Sequence, residues 1–298
     1  MIWITGNKGL LGSELSHYLT SMEIPHVGTD LDVDIRDTEQ LKNFIQDKKL
    51  TYVINCAAYS AVDLAEENRE EVFAINHLGV KNLVNIANEL DIPLIHFSSE
   101  FVFDGTSNSD YVETDKVNPQ TIYGESKVLA DTEIIENCKK YFILRPSWLY
   151  GKYKDNFVYM ILNLAYKEAI IEIVDEQTGS PTNCLDLSKG IVKIIESTSE
   201  AYGLYHFSNE DKTDWYEYAT TIFTKAMLYN VLPRDIQANV RIYPITTSEY
   251  ITLAPRPANS YLNSSKFTNI FGMPITPWKE SLITFIKTLK PIRRGFND

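Results

Sequence analysis

The sequence has few cysteines and no long apolar run. Its three cysteines, Cys56, Cys138 and Cys184, are scattered and form no C-x-x-C motif. We interpret them as reduced, mostly buried thiols of a cytoplasmic protein. No apolar stretch approaches the length of a membrane span. Gly6 interrupts the first residues before the apolar region of a signal peptide forms.

Basic residues are also scarce. The 298-residue chain carries 28 Lys and Arg against 40 Asp and Glu, which gives a net charge of -12 and a pI near 5.0. This balance argues against nucleic acid as a partner, because phosphates require a basic face. An anionic small molecule requires a locally basic pocket, for which Lys127, Arg145 and Arg256 are candidates. The five histidines are dispersed, so no metal site is expected.

Strand-like and helix-like segments alternate along the first half of the chain. Short apolar strands are predicted at 2–5, 25–29, 52–55, 93–97 and 141–144, with helices between them, including a long one at 70–90 in which Leu78 faces inward. This alternation predicts an α/β fold of the Rossmann type, a doubly wound parallel sheet covered on both faces. Ligands of such sheets bind beyond the carboxyl ends of the strands.

The pattern is looser after about residue 150. Helices are expected near 156–167, 185–196, 215–228 and 276–289, and strands at 170–174 and 204–207. Residues 175–182 are too polar and turn-rich for regular structure, and 233–266 is rich in proline. We therefore expect a dinucleotide-binding domain at 1–150. A smaller substrate-binding lobe is expected at 151–298, with some of its segments returning to the sheet.

Three glycines follow the first predicted strand. Gly6, Gly9 and Gly12 are spaced as G-x-x-G-x-x-G and precede an amphipathic helix. A backbone turn of this kind holds a dinucleotide pyrophosphate at the helix N-terminus. The spacing differs from the commoner G-x-G-x-x-G, so a glycine-rich turn without a ligand is the alternative.

A tyrosine and a lysine lie four residues apart in Tyr123-Gly-Glu-Ser-Lys127. Residues with this spacing share one face of a helix. An ammonium beside a phenol favours the phenolate and so eases release of the proton. Such pairs also arise by chance in a tyrosine-rich chain. Together with the glycine loop, however, the pair indicates hydride transfer to or from a carbonyl or alcohol, with NADH or NADPH as cofactor.

Further motifs carry a family resemblance over nearly the whole chain. They are Asn55 to Asp63, Ser98 to Gly105, Asn118-Pro119, Arg145 to Tyr150, Asn156-Phe157, Asp175 to Thr182, Gly203 to His206, and Ala254 to Leu262. With the glycines and the Tyr/Lys pair, they make the chain resemble the extended short-chain dehydrogenases/reductases. Within that superfamily it is most similar to the dTDP-4-dehydrorhamnose reductase family, which implies reduction of a nucleotide sugar by a cytoplasmic monomer or homodimer.

The resemblance implies a role for each matching residue. In the cofactor site, Gly9, Leu10 and Leu11 hold the pyrophosphate, Asp34 and Ile35 flank the adenine, and Ala58, Tyr59 and Ser60 line the cofactor after the third strand. In the catalytic site, Ser99 binds the keto oxygen, Tyr123 donates the proton, and Lys127 tunes Tyr123 and holds the ribose. In the substrate site, Glu100 contacts the sugar, the Trp148 ring packs against the deoxyhexose, and Arg256 lies near the diphosphate.

Two departures from the family concern the substrate and a metal. Ser99-Glu100-Phe101 stands where the family most often has Thr-Asp-Tyr, which keeps the hydroxyl, lengthens the acid by a methylene and loses a phenol. Some family members form a magnesium-bridged dimer through glutamates. Glu14 matches one such position, but the other positions have no match, so no metal is expected.

Cofactor preference is expected to follow the acidic segment after the second strand. Asp30 lies about 20 residues beyond the glycine loop, where a ribose-binding carboxylate is expected. The segment holds further aspartates and no basic residue before Arg36. Since a carboxylate repels a 2′-phosphate, the composition favours NADH or dual use over strict NADPH.

Alternatives remain open at this stage. Trp148 could equally be a core residue, and Arg256 could be a residue of a surface loop. Ser99 could cap a turn, and 175–182 could form a structural turn. Another nucleotide-sugar reductase or epimerase of the superfamily is an alternative function. So is a non-catalytic regulatory subunit that retains the fold, although an intact Ser99, Tyr123 and Lys127 set argues against it.

Overall fold

The structure is a computed structural model that describes residues 1–233, 236 and 239–291. Four positions of the proline-rich stretch 233–266 lie outside the described residues. The last seven residues of the predicted second lobe also lie outside them.

A six-stranded sheet with parallel pairing throughout forms the centre of the fold. Its strands, in spatial order, are β10 (Gly203–His206), β5 (Tyr141–Arg145), β4 (Leu94–Phe97), β3 (Tyr52–Asn55), β1 (Ile2–Thr5) and β2 (His26–Thr29). The order reverses between β1 and β3, which is the arrangement of a doubly wound Rossmann sheet. The predicted fold class is confirmed. The sixth strand, β10, comes from the second half of the chain.

Helices cover both faces of the sheet with separate apolar clusters. One face packs against α1 (Leu10–Ser21), α8 (Cys184–Ser197) and α10 (Ser265–Phe271). The other packs against α2 (Thr38–Ile45), α5 (Val80–Glu89) and α6 (Ile122–Asn137). Because both faces of each central strand are buried, the strands are nearly all apolar rather than alternating.

The remaining elements form mainly a second lobe with its own apolar cluster. Its helices are α7 (Phe157–Lys167), α9 (Trp215–Leu228) and α11 (Trp278–Thr288), with a 3₁₀ turn at Thr247–Glu249. The short helices α3 (Val62–Ala65) and α4 (Arg69–Phe73) instead pack against α6 of the sheet domain, and a further 3₁₀ turn lies at Glu100–Val102. The strands are β6 (Leu149–Tyr150), β7 (Ile170–Val174), β8 (Thr178–Gly179), β9 (Thr182–Asn183), β11 (Thr213–Asp214) and β12 (Arg241–Ile245). The domain division at residue 150 stays an expectation.

The expectation that 175–182 lacks regular structure was wrong. This segment contains β8 and the first residue of β9, and the proline-rich stretch, for which no element was predicted, contains β12. β8 pairs with β11, β9 with β6, and β12 with β7. These partners are distant in sequence, so the pairing overrides a local composition that favours turns.

The long helix predicted at 70–90 is interrupted by a π-helical segment, Ala74–Gly79. The wider turn rotates the following side chains relative to an ideal α-helix. Leu78, expected to face inward, is consequently 52% exposed, whereas Asn76 is 1% exposed. Gly79 lies against Ile35, where a Cβ atom would be 2.6 Å from the isoleucine side chain.

The glycine turn between β1 and α1 depends on close backbone packing. Gly6 has a φ of +63°, and a Cβ atom there would lie 2.5 Å from the backbone nitrogen of Ala57. A Cβ atom on Gly12 would overlap the carbonyl oxygen of Gly6. Both positions therefore require glycine, since the contacts are with backbone that cannot rotate away.

Replacement of Gly6 tests this packing against a control with the same backbone conformation. Gly272 also has a φ of +63°, but a Cβ atom there meets nothing within 4 Å. We expect Gly272→Ala to lower the free energy of unfolding by about 1–2 kcal/mol, the cost of a left-handed alanine. Gly6→Ala should lower it by clearly more because of the overlap with Ala57. Denaturant unfolding measures both, and equal losses would contradict the close approach.

Candidate active site

A cavity of about 690 Å³ lies at the carboxyl ends of the central strands and extends between the two lobes. Eleven of the site residues predicted from the sequence line it, namely Gly9, Leu10, Leu11, Ala58, Ser60, Ser99, Glu100, Tyr123, Lys127, Trp148 and Arg256. Gly6, Gly12, Asp34, Ile35 and Tyr59 do not line it. The fold therefore brings the predicted proton donor, cofactor loop and substrate residues to one place.

One end of the cavity is formed by the start of α1. Gly9 is the N-cap and provides no side chain that accepts a hydrogen bond. The first N–H groups of a helix have no acceptor within the helix. Here they include those of Leu10 and Leu11, two residues that line the cavity. A dinucleotide pyrophosphate fits this end, because it supplies the missing acceptors and the negative charge that a helix N-terminus favours.

Three predicted cofactor residues, Tyr59, Ile35 and Asp34, do not line the cavity and have other contacts. The backbone of Tyr59 is fixed by Asn76, whose amide accepts from Tyr59 N at 2.8 Å and donates to Tyr59 O at 3.0 Å. Ile35 is buried in the apolar cluster beside α5. Asp34 binds the guanidinium of Arg36 at 2.7 Å, so this arginine is folded back onto the acidic segment.

Tyr123, Ser99 and Glu100 form the polar centre of the cavity. Ser99 Oγ donates to Glu100 Oε2 at 2.6 Å, and Ser99, Glu100 and Tyr123 all line the cavity. Glu100 is 6% exposed. Ser99 also caps the 3₁₀ turn by accepting from Phe101 N, so this residue both caps the turn and lines the cavity.

Burial controls the protonation of Tyr123. It raises the pKa of the phenol, and the carboxylate of Glu100 raises it further. The ammonium of Lys127 lies 5.9 Å from the centre of the ring and donates to the Phe97 carbonyl at 2.7 Å. The expectation that Lys127 eases proton release stays a prediction. A phenol kept protonated is suited to donate a proton.

Lys127 is itself buried, with 2% of its surface exposed. Burial lowers the pKa of its ammonium to about 8, and the nearby carboxylate of Asp131 opposes that shift. Asp131 is one helical turn further along α6 and binds Arg145 at 2.8 Å. Arg145 is therefore committed to a buried ion pair and does not line the cavity, so the expectation that it serves an anionic ligand was wrong.

Two stacked tryptophans form a wall of the cavity. The rings of Trp148 and Trp215 have centroids 3.6 Å apart and an interplanar angle of 14°. Trp148 has a φ of +45°, an unusual conformation for a large residue that the surrounding contacts must hold. A Cβ atom on Gly179 would lie 2.6 Å from the Trp148 indole, so this glycine makes room for the ring.

Arg256 lines the cavity from the segment after β12. Its guanidinium binds Asp63 Oδ2 at 2.5 Å, and Asp63 Oδ1 accepts from Ala254 N at 3.0 Å. Asp63 belongs to α3 beside the cofactor end, so the pair ties the second lobe to the sheet domain. Arg256 is held in place by these contacts rather than lying free in a surface loop.

Several cavity residues were given no site role from the sequence, although some of them lie in the motifs that carry the resemblance. They are Asn55, Cys56, Phe157, Met160, Glu172, Gln177, Trp215, Tyr250 and Ser260, among others. Trp215 begins α9, and its apolar helical pattern indicates only a core residue. Its contact with Trp148 joins elements far apart in sequence. No spacing rule in the sequence marks such a pair.

No group of three or more His, Cys, Asp or Glu side chains is placed to hold a metal ion within 1–233, 236 and 239–291. Glu14 instead accepts from the backbone of Lys152 at 3.2 Å. In the same part of the chain, no helix combines the length and apolar character needed to cross a membrane.

An open helix N-terminus that shares one cavity with a Tyr–Ser pair on a doubly wound sheet is the arrangement of the short-chain dehydrogenases/reductases. The chain is an oxidoreductase of that class. Within it, the chain belongs to the family described as RmlD substrate binding domain, whose family model matches residues 1–290. The resemblance to the dTDP-4-dehydrorhamnose reductases is thereby confirmed.

Individual relatives are similar to this chain over nearly its full length. A dTDP-4-dehydrorhamnose reductase of Aggregatibacter actinomycetemcomitans is 35% identical over 285 residues, covering 94% of this chain and 96% of that protein. The crystal structure of a dTDP-4-dehydrorhamnose reductase from Clostridium acetobutylicum has a TM-score of 0.88 at 34% identity, with 96% and 98% of the two chains covered. The Bacillus anthracis reductase, solved in complex with NADP, has a TM-score of 0.88 at 33% identity, with 95% and 97% covered.

The buried carboxyl of Glu100 predicts a pH-dependent contribution to stability. Burial raises its pKa from 4.5 to about 7, so the folded protein holds this proton more tightly than the unfolded chain. The free energy of unfolding then falls as the pH rises from 4.5 through 7. Glu100→Gln keeps an acceptor oxygen but does not titrate. Relative to wild type, it should gain about 3 kcal/mol across this interval. Denaturant unfolding at several pH values measures the difference, and parallel curves would contradict it.

Proposed function

We propose that the protein reduces the C4 keto group of dTDP-4-dehydro-6-deoxy-L-mannose to give dTDP-L-rhamnose, a step in nucleotide-sugar and cell-surface polysaccharide biosynthesis. The observation that carries this proposal is that Ser99, Tyr123 and Lys127 line one cavity together with the open N-terminus of α1. The names of the full-length relatives support the choice of sugar.

The cofactor is NADH or NADPH, held by the backbone at Gly9, Leu10 and Leu11 and by Lys127. When bound, it supplies the hydride that reduces C4. The preference for NADH or dual use stays a prediction. The bidentate contact between Arg36 and Asp34 supports it, since this arginine is engaged by a carboxylate rather than free for a 2′-phosphate. The NADP found in the Bacillus anthracis relative supports use of the phosphorylated cofactor as well.

Residues of this chain stabilise the charge on the substrate, donate the proton and bind the sugar and the diphosphate. Ser99 stabilises the developing negative charge on the C4 oxygen, and Tyr123 donates the proton that completes the alcohol. The raised pKa of Tyr123 keeps the acid loaded before each turnover. The stacked Trp148 and Trp215 offer an apolar wall for the deoxyhexose. Arg256 is the cation for the diphosphate, which the net charge of -12 repels at long range.

A cytoplasmic location and a monomeric or homodimeric state are part of the same proposal. Another nucleotide-sugar reductase or epimerase of the superfamily remains the alternative enzyme. Copurification of tightly bound NAD would favour an epimerase. The regulatory-subunit alternative is opposed by the contacts among Ser99, Glu100 and Tyr123, since a protein without catalysis has no need to keep this polar centre desolvated.

Removal of the Tyr123 hydroxyl tests the proposed acid. Tyr123→Phe should lower turnover by roughly a hundredfold or more, the usual scale for one general acid, while cofactor binding is nearly unchanged. Turnover is measured from nicotinamide absorbance with the proposed sugar. Tyr250→Phe is the control, because Tyr250 also lines the cavity and has no proposed part in catalysis. Normal turnover in Tyr123→Phe would remove this residue from the mechanism.

Arg256 is tested through substrate affinity. Arg256→Ala should raise the substrate KM by roughly ten- to a hundredfold, because hydrogen bonds to charged groups contribute about 1.5–3 kcal/mol. The dissociation constant of the cofactor should stay nearly fixed. Arg256→Lys should recover only part of the loss, since an ammonium lacks the forked geometry of the guanidinium.

Asp63→Asn separates the two roles that Arg256 has in the structure. This variant weakens the ion pair between the lobes but leaves the guanidinium in the cavity. We expect its KM to stay near the wild-type value. A rise in Asp63→Asn equal to that in Arg256→Ala would show that the ion pair, and not a diphosphate contact, accounts for the effect.

A further inference from the structure

The ring of Phe101 contacts two groups that the proposed reaction uses. It makes an edge-to-face contact with the Tyr123 ring, with centroids 5.7 Å apart and an interplanar angle of 81°. The guanidinium carbon of Arg256 lies 5.9 Å from the centre of the same Phe101 ring. All three residues line the cavity. Phe101 is also a position at which this chain departs from the tyrosine that the family most often has.

The backbone of Phe101 is fixed at both of its polar groups. Its N–H donates to Ser99 Oγ at 3.3 Å at the start of the 3₁₀ turn. Its carbonyl oxygen packs against the first turn of α6, where a Cβ atom on Gly124 would overlap it. Gly124 directly follows Tyr123. The turn and the start of α6 are therefore in direct backbone contact, which places the Phe101 ring beside the Tyr123 ring.

The direction of the Tyr123 hydroxyl depends on what packs against its ring. A tyrosine side chain turns about two torsions, and the hydroxyl moves with the ring. Edge-to-face aromatic pairs favour one relative orientation, because the positive edge of one ring is attracted to the negative face of the other. The contact with Phe101 therefore limits the directions in which the phenol hydroxyl of Tyr123 can point.

We propose that Phe101 is a positioning residue that holds the Tyr123 ring in the orientation from which it donates its proton. Phe101 acts through Tyr123, since a phenyl ring neither gives nor takes a proton. This inference rests on the proposed function, because Tyr123 acts as an acid only if a keto group is reduced.

The geometry confines this role to the proton donor. Arg256 has anchors of its own, because its guanidinium binds the Asp63 carboxylate and also the Ala254 carbonyl at 3.0 Å. The proposed contact with the diphosphate therefore does not require the Phe101 ring. Loss of this ring should affect turnover far more than the binding of substrate or cofactor.

Steady-state kinetics separate positioning from substrate binding. Phe101→Leu removes the ring and keeps an apolar side chain. We expect kcat to fall by roughly tenfold, because proton transfer requires closely aligned groups, while the substrate KM and the dissociation constant of the cofactor stay nearly unchanged. Phe101→Tyr keeps the ring and should retain the wild-type kcat. A raised KM with an unchanged kcat in Phe101→Leu would overturn the proposal and make Phe101 a substrate contact.

A double-mutant cycle shows whether Phe101 acts through Tyr123. In the Tyr123→Phe background no phenol hydroxyl remains to be directed, so Phe101→Leu should cause little further loss of kcat. Two independent effects would instead multiply, because their free energies add. Losses that multiply in the double variant would therefore contradict the proposal and leave Phe101 with a structural role alone.

Val102→Ala is the matched control from the same 3₁₀ turn. Val102 is fully buried in an apolar cluster with Phe103 and Tyr111, so its truncation loosens the turn without removing the Phe101 ring. The ratio of kcat in H₂O to that in D₂O should rise in Phe101→Leu, because a misdirected phenol slows proton transfer. It should keep its wild-type value in Val102→Ala. Equal ratios in the two variants would argue against positioning. Far-ultraviolet circular dichroism confirms that each variant is folded.

Nuclear magnetic resonance tests the ring contact without substrate. The ring protons of Tyr123, identified in tyrosine-labelled protein by their loss in Tyr123→Phe, should show a ring-current shift from Phe101 in the wild type. The shift should persist in Phe101→Tyr and disappear in Phe101→Leu. A shift that persists in Phe101→Leu would refute the contact and the proposal. A wild type with the shift that fails to reduce the sugar would overturn the proposed function, and this inference with it, although the ring contact itself would stand.

Discussion

The buried ion pair between Asp131 and Arg145 supports the rest of the active site. Its side chains are each 4% exposed and join α6 to β5, while Ser98 at the end of β4 donates to the same carboxylate at 2.9 Å. Removing charges from water is costly unless each is paired and hydrogen bonded. Once Asp131 is fixed in this way, its negative charge favours the ammonium of Lys127 one turn earlier on the helix. The face of α6 that carries Tyr123 is thereby held against the carboxyl edge of the sheet.

Contacts between the lobes hold single residues of the cavity wall in place. Trp148 has a left-handed backbone and stacks on Trp215, and its indole occupies space that Gly179 leaves open. On the opposite side, Arg256 and Asp63 join the segment after β12 to α3. Ser99 and Glu100 are shielded from water in this site, which strengthens the hydrogen bond between them.

The protonation states in the cavity follow from this exclusion of water. Desolvation raises the pKa values of Tyr123 and Glu100 and lowers that of Lys127. All three shifts favour the neutral form of a buried group. Tyr123 is therefore protonated at neutral pH, which is the state from which it can donate a proton.

The sequence by itself determined the doubly wound sheet, the glycine turn at Gly6 and the Tyr123–Lys127 face, because strand alternation, glycine spacing and a four-residue helical repeat are local properties. It missed β12, the exposure of Leu78 and the engagement of Arg145 with Asp131. β12 forms because it pairs with β7, and Leu78 is exposed because of the π-helical turn. Arg145 is engaged because its ion pair joins elements that are distant in sequence. The protonation of Tyr123 and the contact of Glu100 with Ser99 also came only from the tertiary structure, since burial depends on what the second lobe covers.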